Sequence, residues 1–331
     1  MKLLITIDTE ADNQWDRSET IEVENIRYIP QFQELCDLYG FKPTYLTSYE
    51  MAVSDEFIAT VKPYQDRQRA EIGAHLHPWT TPPFRHITEN DVRFHPFPHE
   101  YPKDLLTQKL TTLTELLEQN MGKRPLTFRA GRYGFDGSVA KILEELGYLA
   151  DCSVTPLVSW KKSLGNPAGC GGPDFTTAPA EPYFLDYTDC NKKGQSRLLE
   201  VPVSIFFIKW PVFNRIFRML KRIARDPRNV MLRGLYRLNY TPQWFRPHPS
   251  SRVDDLCQIY HLAQRMGIDY IEMMFHSSEL MPGGSKNTKD AQAIEQLHQV
   301  FTGVFDFLQR QHVESMTLAE YAQARLLNEV T

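Results

Sequence analysis

Two histidines close a short, mostly apolar stretch of the sequence. The stretch runs from Glu71 to Trp79 and reads Glu-Ile-Gly-Ala-His-Leu-His-Pro-Trp, so the imidazoles are His75 and His77. Side chains alternate between the two faces of a strand, and residues two apart therefore point the same way. Two imidazoles on one face at the end of a strand can share a divalent cation. The spacing predicts a strand that ends in metal-ligating or catalytic histidines; the plain alternative is a pair of polar residues on a half-exposed strand.

The N-terminal stretch has the same arrangement with carboxylates. Residues 2–8 are mostly apolar, and Asp8 and Glu10 come at its end, two positions apart. In parallel α/β folds the carboxyl ends of the strands meet at one edge of the sheet, where active sites form. We therefore expect these two acids to meet His75 and His77 there. Together they would form a mixed nitrogen and oxygen metal site with a spare carboxylate for proton transfer.

Apolar, strand-like runs alternate with amphipathic helical patterns along most of the chain. Helical spacing of apolar residues is clear over 24–39, 101–121 and 289–310. This alternation predicts an α/β fold with a parallel sheet, in which a barrel would gather all strand ends at one rim. The rhythm breaks at a stretch rich in Gly, Pro, Asp and Thr. We thus expect a single domain over 1–331 with an insertion at about 157–250.

Further polar residues stand where other predicted strands end. They are Arg129, Asp151 and His276. Arg129 is followed by Gly-Arg-Tyr-Gly, and two glycines within four residues indicate a tight turn that brings backbone close to another group. We expect Tyr133 of this turn and Trp79 to contact substrate. Trp15, in a polar loop after the first strand, could stack on a sugar, although a plain surface loop explains it equally well.

A basic segment stands apart from the rest of the chain. Residues 209–237 contain nine Lys and Arg, and Asp226 is their only acid. Apolar residues are interleaved with the bases, which indicates amphipathic helices. Such a segment can be a solvated face over the core, a grip on an anionic substrate carrier, or a peripheral contact with an anionic membrane.

Composition limits the class of protein and its compartment. The 331 residues carry a formal net charge of -4, which argues against general nucleic-acid binding. The five cysteines are odd in number and scattered, which fits a reducing compartment. We see neither a signal peptide nor a run long enough to span a membrane, and we interpret the chain as cytoplasmic.

The order and chemistry of these strand ends resemble the polysaccharide deacetylase superfamily, which is NodB-like and similar to carbohydrate esterase family 4. The similarity is greatest to its WalW-type members. It rests on the words His-Leu-His-Pro-Trp, Phe-Arg-Ala-Gly-Arg-Tyr-Gly and Phe-His-Ser-Ser-Glu-Leu, and it spans about residues 3–285. The resemblance implies a distorted (β/α)7-type barrel that binds one divalent metal, usually zinc. It also implies removal of acyl groups from N-acylated sugars.

The resemblance further implies a role for each site residue. Asp8 would be the catalytic base, and Glu10, His75 and His77 would hold the metal. Two positions depart from the family's pattern, because Thr9 stands where the family has its metal-binding Asp and Trp79 where it has its second His.

Three more residues match the family's catalytic set. Arg129 would orient the base, Asp151 would steady that arginine, and His276 would protonate the departing amine. The expected substrate is an N-acetylated amino sugar or glycan precursor.

Two other functions stay open at this stage. One is a metal hydrolase that acts on a non-sugar amide or ester. The other is a catalytically inactive glycan-binding protein without metal, which the two altered ligand positions would explain.

Overall fold

A computed structural model describes residues 1–12, 14, 21–163, 171–208 and 242–330, without the side chains of 328–330. Its strands are β1 (Lys2–Thr9), β2 (Pro43–Thr47), β3 (Glu71–Leu76), β4 (Thr127–Ala130), β5 (Ala150–Asp151), β6 (Tyr183–Asp186), β7 (Asp189–Lys193), β8 (Leu199–Glu200), β9 (Ile205–Phe206), β10 (Gln243–Trp244), β11 (Tyr270–His276) and β12 (Glu314–Ser315). Its α-helices are α1 (Ile29–Tyr39), α2 (Tyr49–Ala52), α3 (Asp55–Asp66), α4 (Asp91–Phe94), α5 (Lys103–Met121), α6 (Gly137–Glu145), α7 (Val253–Arg265), α8 (Ala291–Arg310) and α9 (Leu318–Val330).

The main sheet is built from parallel strands in the order β11-β1-β2-β3-β4-β5-β8. The antiparallel hairpin β6–β7 extends the edge beyond β8. Residue register brings the predicted site strands side by side, since Asp8 pairs with His276 and His75 pairs with Arg129. All of these parallel strands therefore deliver their carboxyl ends to one rim.

The sheet curls into a distorted barrel whose two edges are joined by local contacts. The Glu272 N–H on β11 donates to Ser204 Oγ, just after β8, at 2.9 Å. The Met274 N–H donates to the Phe245 carbonyl at 3.3 Å. The predicted α/β barrel-like fold is thus confirmed. The basic helices predicted within 209–237 lie outside the described residues.

Helices cover the outer face of this sheet with apolar side chains. The Phe32 ring of α1 lies 4.9 Å from Phe275 of β11 and 4.9 Å from Phe301 of α8, all three fully buried. Such aromatic clusters bury large apolar areas. Because the apolar residues of these strands face the helices, the opposite side chains are left to fill the barrel interior.

The helix ends follow the signals in the sequence. Ser54 caps α3 by accepting from the Phe57 N–H at 3.2 Å. A capping box precedes α9, with the Thr317 N–H bonded to Glu320 and the Glu320 N–H bonded to the Thr317 hydroxyl. Among the helices that the structure describes, none combines the length and apolar character needed to cross a membrane.

Candidate metal and catalytic site

Glu10, His75 and His77 converge at the rim of the barrel, and we call them the rim cluster. Nε2 of His77 lies 2.6 Å from Glu10 Oε2, and Nε2 of His75 lies 3.2 Å from the same oxygen. The two Nε2 atoms are 3.1 Å apart. All three side chains are buried, and among the described residues they are a group able to hold a metal ion. The strand alternation that predicted a shared face for the two histidines agrees with this geometry.

Neighbouring groups hold the two imidazoles so that their Nε2 atoms face Glu10. Nδ1 of His75 lies 3.0 Å from the Arg129 carbonyl and donates to it, which leaves the Nε2 lone pair directed at the cluster. A Cβ on Gly131 would come within 2.6 Å of His77 Nδ1 and 2.5 Å of the Leu76 carbonyl oxygen. Only glycine therefore allows the turn after β4 to pack this closely against His77.

The electrostatics of the rim cluster favour a cation at its centre. Burial alone would raise the pKa of Glu10, but the two imidazoles outweigh it and hold that pKa well below its usual value. Burial would lower the pKa of His75, whereas Asp8 and Glu10 raise it overall. Two nitrogens and one carboxylate oxygen match the ligands of a catalytic zinc site that keeps an open position. The residues present therefore fit a divalent metal.

Asp8 lies beside the rim cluster and is held by Arg129. Its Oδ1 accepts from Arg129 Nη1 at 2.6 Å, and its Oδ2 lies 3.6 Å from His276 Nε2. Burial would raise the pKa of Asp8, but the guanidinium and the nearby histidines lower it overall. Asp8 is thus an ionised carboxylate next to a candidate metal site.

Arg129 is fully buried, and its guanidinium is bonded on every side. Besides Asp8, it donates to the Cys152 carbonyl at 3.0 Å, to the Thr6 hydroxyl at 2.8 Å and to Glu272 Oε1. Glu272, not Asp151, is therefore the second carboxylate in contact with this arginine.

Asp151 lies on β5, the strand that pairs with the strand of Arg129. It accepts from the backbone N–H of Ser153 at 2.9 Å and from its hydroxyl at 2.7 Å, and it shares a hydrogen bond with Glu200. Burial raises the pKa of Asp151 to about 6 and that of Glu200 well above its usual value. Asp151 is thus half of a buried pair of acids, and since Arg129 also lowers its pKa in part, the role of steadying Arg129 stays a prediction.

His276 faces the cavity from the end of β11. Its Nδ1 lies 2.9 Å from Glu279 Oε1, which fixes the ring so that Nε2 points toward Asp8. Glu279 also accepts from Arg246. Burial would raise the pKa of Glu279, but Arg246 and His276 lower it to about 2. His276 is thus backed by a permanently ionised carboxylate.

The rim cluster, Asp8 and His276 line one cavity of about 350 Å³, which is large enough for a sugar. Tyr133, Trp160 and Trp244 form an aromatic wall, in which the Tyr133 and Trp160 rings stack at 5.1 Å. Trp79 lines an adjacent cavity, and its ring lies 4.5 Å from that of His77. Trp15 lies outside the described residues.

Several residues of the site carried only weak signals in the sequence. Glu272 is a single acid within the apolar run of β11 and has the same strand parity as His276, which is the signal that would have found it. Glu279 follows His276 by three residues, at the spacing of a capping box. Arg246, Trp160 and Trp244 lie in or beside loops, where no periodicity marks an inward side chain.

Comparison with known proteins finds similarity in fold but not in sequence. No family model matches the chain, and no curated protein matches it by sequence. Among solved structures, a protein from Parabacteroides distasonis provisionally named a glycoside hydrolase/deacetylase has a TM-score of 0.58 and 11% identity, with 97% of this chain and 70% of that chain covered. This likeness supports the barrel fold alone.

Two further solved structures have lower TM-scores. A protein provisionally named a polysaccharide deacetylase from Mycobacterium smegmatis has a TM-score of 0.47 and 16% identity, covering 96% of this chain and 94% of that one. A pseudoenzyme of the CE4 family from Bacillus anthracis has a TM-score of 0.41 and 11% identity, covering 97% and 65%.

Proposed function

We propose that this protein is a metal-dependent hydrolase that removes an N-acyl group, foremost an acetyl group, from an amino sugar or glycan precursor. One observation carries the proposal. The rim cluster converges in the same cavity as an ionised acid, Asp8, and a histidine, His276, that is oriented by Glu279. A metal site flanked by a base and an acid is the arrangement that amide hydrolysis requires.

Glu10, His75 and His77 would hold the metal, and zinc suits their nitrogen and oxygen atoms. When bound, the ion supplies Lewis acidity at the acyl oxygen and lowers the pKa of water. The remaining chemistry belongs to the protein's own side chains.

Asp8 is the proposed general base. It takes one proton from the attacking water while the water oxygen forms its bond to the acyl carbon. Arg129 keeps this carboxylate ionised and fixes its direction, because Oδ1 is bonded to the guanidinium and Oδ2 faces the cavity. Glu272 is a positioning residue, since it holds the other side of the same guanidinium.

His276 is the proposed general acid. As the bond between carbon and nitrogen breaks, its Nε2–H donates a proton to the leaving nitrogen, so the products are a carboxylate and a free amine. The Glu279 carboxylate lies 2.9 Å from Nδ1 and orients the ring so that Nε2 faces the cavity. General acid–base steps of this kind typically contribute about 10²–10⁴-fold to the rate.

The aromatic wall favours a sugar over a small aliphatic amide. The rings of Tyr133, Trp160 and Trp244 offer flat apolar surface of the kind on which the C–H face of a pyranose packs. Location in the cytoplasm remains a proposal from sequence. So does contact with anionic membranes through 209–237, and flotation of the protein with acidic liposomes would test that contact.

Release of acetate from N-acetylated amino sugars by zinc-loaded protein tests the function. We expect activity that a chelator removes and zinc restores, and that Asp8→Asn lowers by at least about 10²-fold. Hydrolysis of simple acyl amides but of no sugar would favour the rival metal hydrolase. Sugar binding without any zinc or acetate release would favour an inactive glycan-binding protein.

A further inference from the structure

A glutamine on the segment after β1 lines the same cavity as the rim cluster and Asp8. Gln14 follows the proposed metal ligand Glu10 along this segment, and its half-buried side chain forms part of the cavity wall. It is neither a metal ligand nor an acid or base of the proposed reaction. A side-chain amide has a nitrogen that donates hydrogen bonds and an oxygen that accepts them. What Gln14 can recognise therefore depends on which of these two groups faces the ligand.

Glu50 determines the direction of the Gln14 amide. Glu50 Oε1 accepts from the backbone N–H of Ala11 at 3.2 Å, and Gln14 Nε2 lies 3.3 Å from the same oxygen. Because this oxygen is an acceptor, the group of Gln14 that faces it is the N–H₂ donor. Gln14 lines the cavity and Glu50 does not. The amide nitrogen thus turns into the wall, and the amide oxygen is left for a ligand in the cavity.

The same carboxylate places this amide beside the rim cluster. Ala11 directly follows Glu10, so one oxygen of Glu50 joins the Gln14 side chain to the backbone at a proposed metal ligand. The Glu10 carbonyl is held in turn by the Asn25 side chain, whose Nδ2 donates to it at 2.9 Å. Both Glu50 and Asn25 are buried. Gln14 is therefore anchored on the side of the cavity where an acyl group would meet the metal.

The rest of the described cavity wall offers few acceptors to a ligand. Arg132 and Arg246 can only donate, because a guanidinium has no acceptor. Asp8 accepts from Arg129, and Glu10 lies within hydrogen-bond distance of both imidazoles. Apart from two hydroxyl groups, the neutral oxygen acceptor among the described lining side chains is the Gln14 amide.

An acceptor at this place distinguishes an amide from an ester. The N-acyl group of a sugar carries an N–H, whereas an O-acyl group has an ester oxygen without hydrogen in the same position. The Gln14 oxygen can accept from the first, but it faces only lone pairs on the second. A site built to hydrogen-bond an N–H rejects an analogue that lacks it, because the acceptor is then left unpaired.

We infer that Gln14 is a specificity-determining residue, whose amide oxygen accepts a hydrogen bond from the N–H of the substrate's N-acyl group. It thereby favours amides over esters. This inference rests on the proposed function and names the acyl linkage that the site selects.

Two matched probes test the inference. One is methyl N-acetylglucosaminide, and the other is the methyl glucoside that carries an O-acetyl group on the same ring carbon, so N–H is exchanged for oxygen. Calorimetry would use the full chain loaded with zinc in the Asp8→Asn background, which prevents turnover of the probes. We expect the amide to bind about tenfold more tightly than the ester.

Gln14→Met removes the acceptor and keeps nearly the same side-chain length. The ratio of amide to ester affinity should fall to about one to two, through weaker binding of the amide alone. The zinc content should be unchanged, because Gln14 is not a ligand. The matched control is Gln299→Met, since Gln299 Nε2 also lies 3.3 Å from a glutamate oxygen, Glu295 Oε1, but on the exposed surface of α8. This control should keep the preference.

Four results would overturn the inference: equal affinity for the two probes, binding of neither, a preference that survives Gln14→Met, or an equal loss of affinity for both probes in that variant. The last result would mean that Gln14 contacts a group that the two probes share. Failure of the proposed function is a separate result. It would appear as no acetate released from either probe by the wild-type protein, whatever the binding preference.

Discussion

Buried carboxylates lie at two places inside the curled sheet, and they differ in the residues they contact. At one place the partners are imidazoles, and at the other the partner is a second acid. In the rim cluster, Glu10 faces two imidazoles, and its pKa is held well below the usual value despite burial. One layer deeper, Asp151 and Glu200 face each other, and burial raises the pKa of both. Burial by itself therefore does not mark a functional acid. The two imidazoles outweigh burial at Glu10, which can therefore act as a ligand, whereas two acids in contact are both pushed towards the protonated form.

Arg129 contacts a carboxylate on each side of it. It is bonded to Asp8 on the side of the cavity and to Glu272 on the side of the interior. The guanidinium holds the pKa of Asp8 below its usual value, whereas burial outweighs the same guanidinium at Glu272 and raises the pKa of that carboxyl to about 7. The deeper pair can then stay protonated without exposing an unpaired charge. Changes at the rim should thus affect metal and catalysis, and changes in the interior should affect stability.

The largest effect is expected at the rim. His77→Ala removes one of two nitrogen ligands, so zinc affinity should fall by more than about 100-fold and acetate release should disappear. Metal analysis after dialysis would measure this. His86→Ala is the control, since His86 is 79% exposed and lies outside the cavity of the rim cluster. Full zinc content in His77→Ala would contradict the assigned ligands.

His276→Gln should separate metal binding from catalysis. Glutamine keeps a polar side chain but transfers no proton, so kcat should fall by about 10²–10⁴-fold while the zinc content stays near one per chain. Steady-state kinetics and metal analysis of the same preparation check both parts. Unchanged kcat would remove His276 from the mechanism.

Glu272→Gln addresses the interior side of Arg129. Burial raises the pKa of Glu272 to about 7, so above that pH the variant leaves a fully buried guanidinium with one carboxylate. There we expect the free energy of unfolding to fall by about 2–4 kcal/mol. Asp8 would also lose part of its orientation, so kcat should fall by about tenfold. Denaturant unfolding gives the first value, and Glu71→Gln, a half-buried acid on the same sheet but away from Arg129, gives the comparison. Equal kcat in the two variants would count against a positioning role.

The smallest effect concerns the pH dependence of the deeper pair. The pKa of Asp151 is raised in the folded state from 3.8 to about 6, so the folded protein binds more protons than the unfolded chain between these values. Protonation of the Asp151 carboxyl therefore adds to the free energy of unfolding. This contribution is fully present below about pH 4 and is lost as pH rises through about 6. Glu200→Gln should flatten this fall, which amounts to about 1–3 kcal/mol in the wild-type protein. An unchanged profile from pH 4 to 7 would show that the pair does not share a proton.

The rim cluster could be predicted because strand geometry alone brings it together. The alternation that puts His75 and His77 on one face needs only the period of a strand, and the same holds for Asp8 and Glu10. Parallel strand order then brings both pairs to one edge. The resulting contact, 2.6 Å between Glu10 and His77, depends on side-chain packing but not on any distant loop.

The interior contacts could not be predicted, because they depend on which strands become neighbours across the barrel. Glu272 reaches Arg129 from a strand more than 140 residues away in sequence. The pattern of Asp151 at a strand end is the same whether it meets Arg129 or Glu200. Arg246 and the aromatic wall belong to connecting segments, whose course is set by tertiary packing rather than by local periodicity.

Anomalous diffraction at the zinc edge from crystals grown with zinc tests the central claim most directly. We expect one strong peak at about 2.0–2.2 Å from Glu10 Oε2, His75 Nε2 and His77 Nε2, in contact with the cavity that Asp8 and His276 line. A structure without a peak there, or with a peak bound by other residues, would contradict the account of this site.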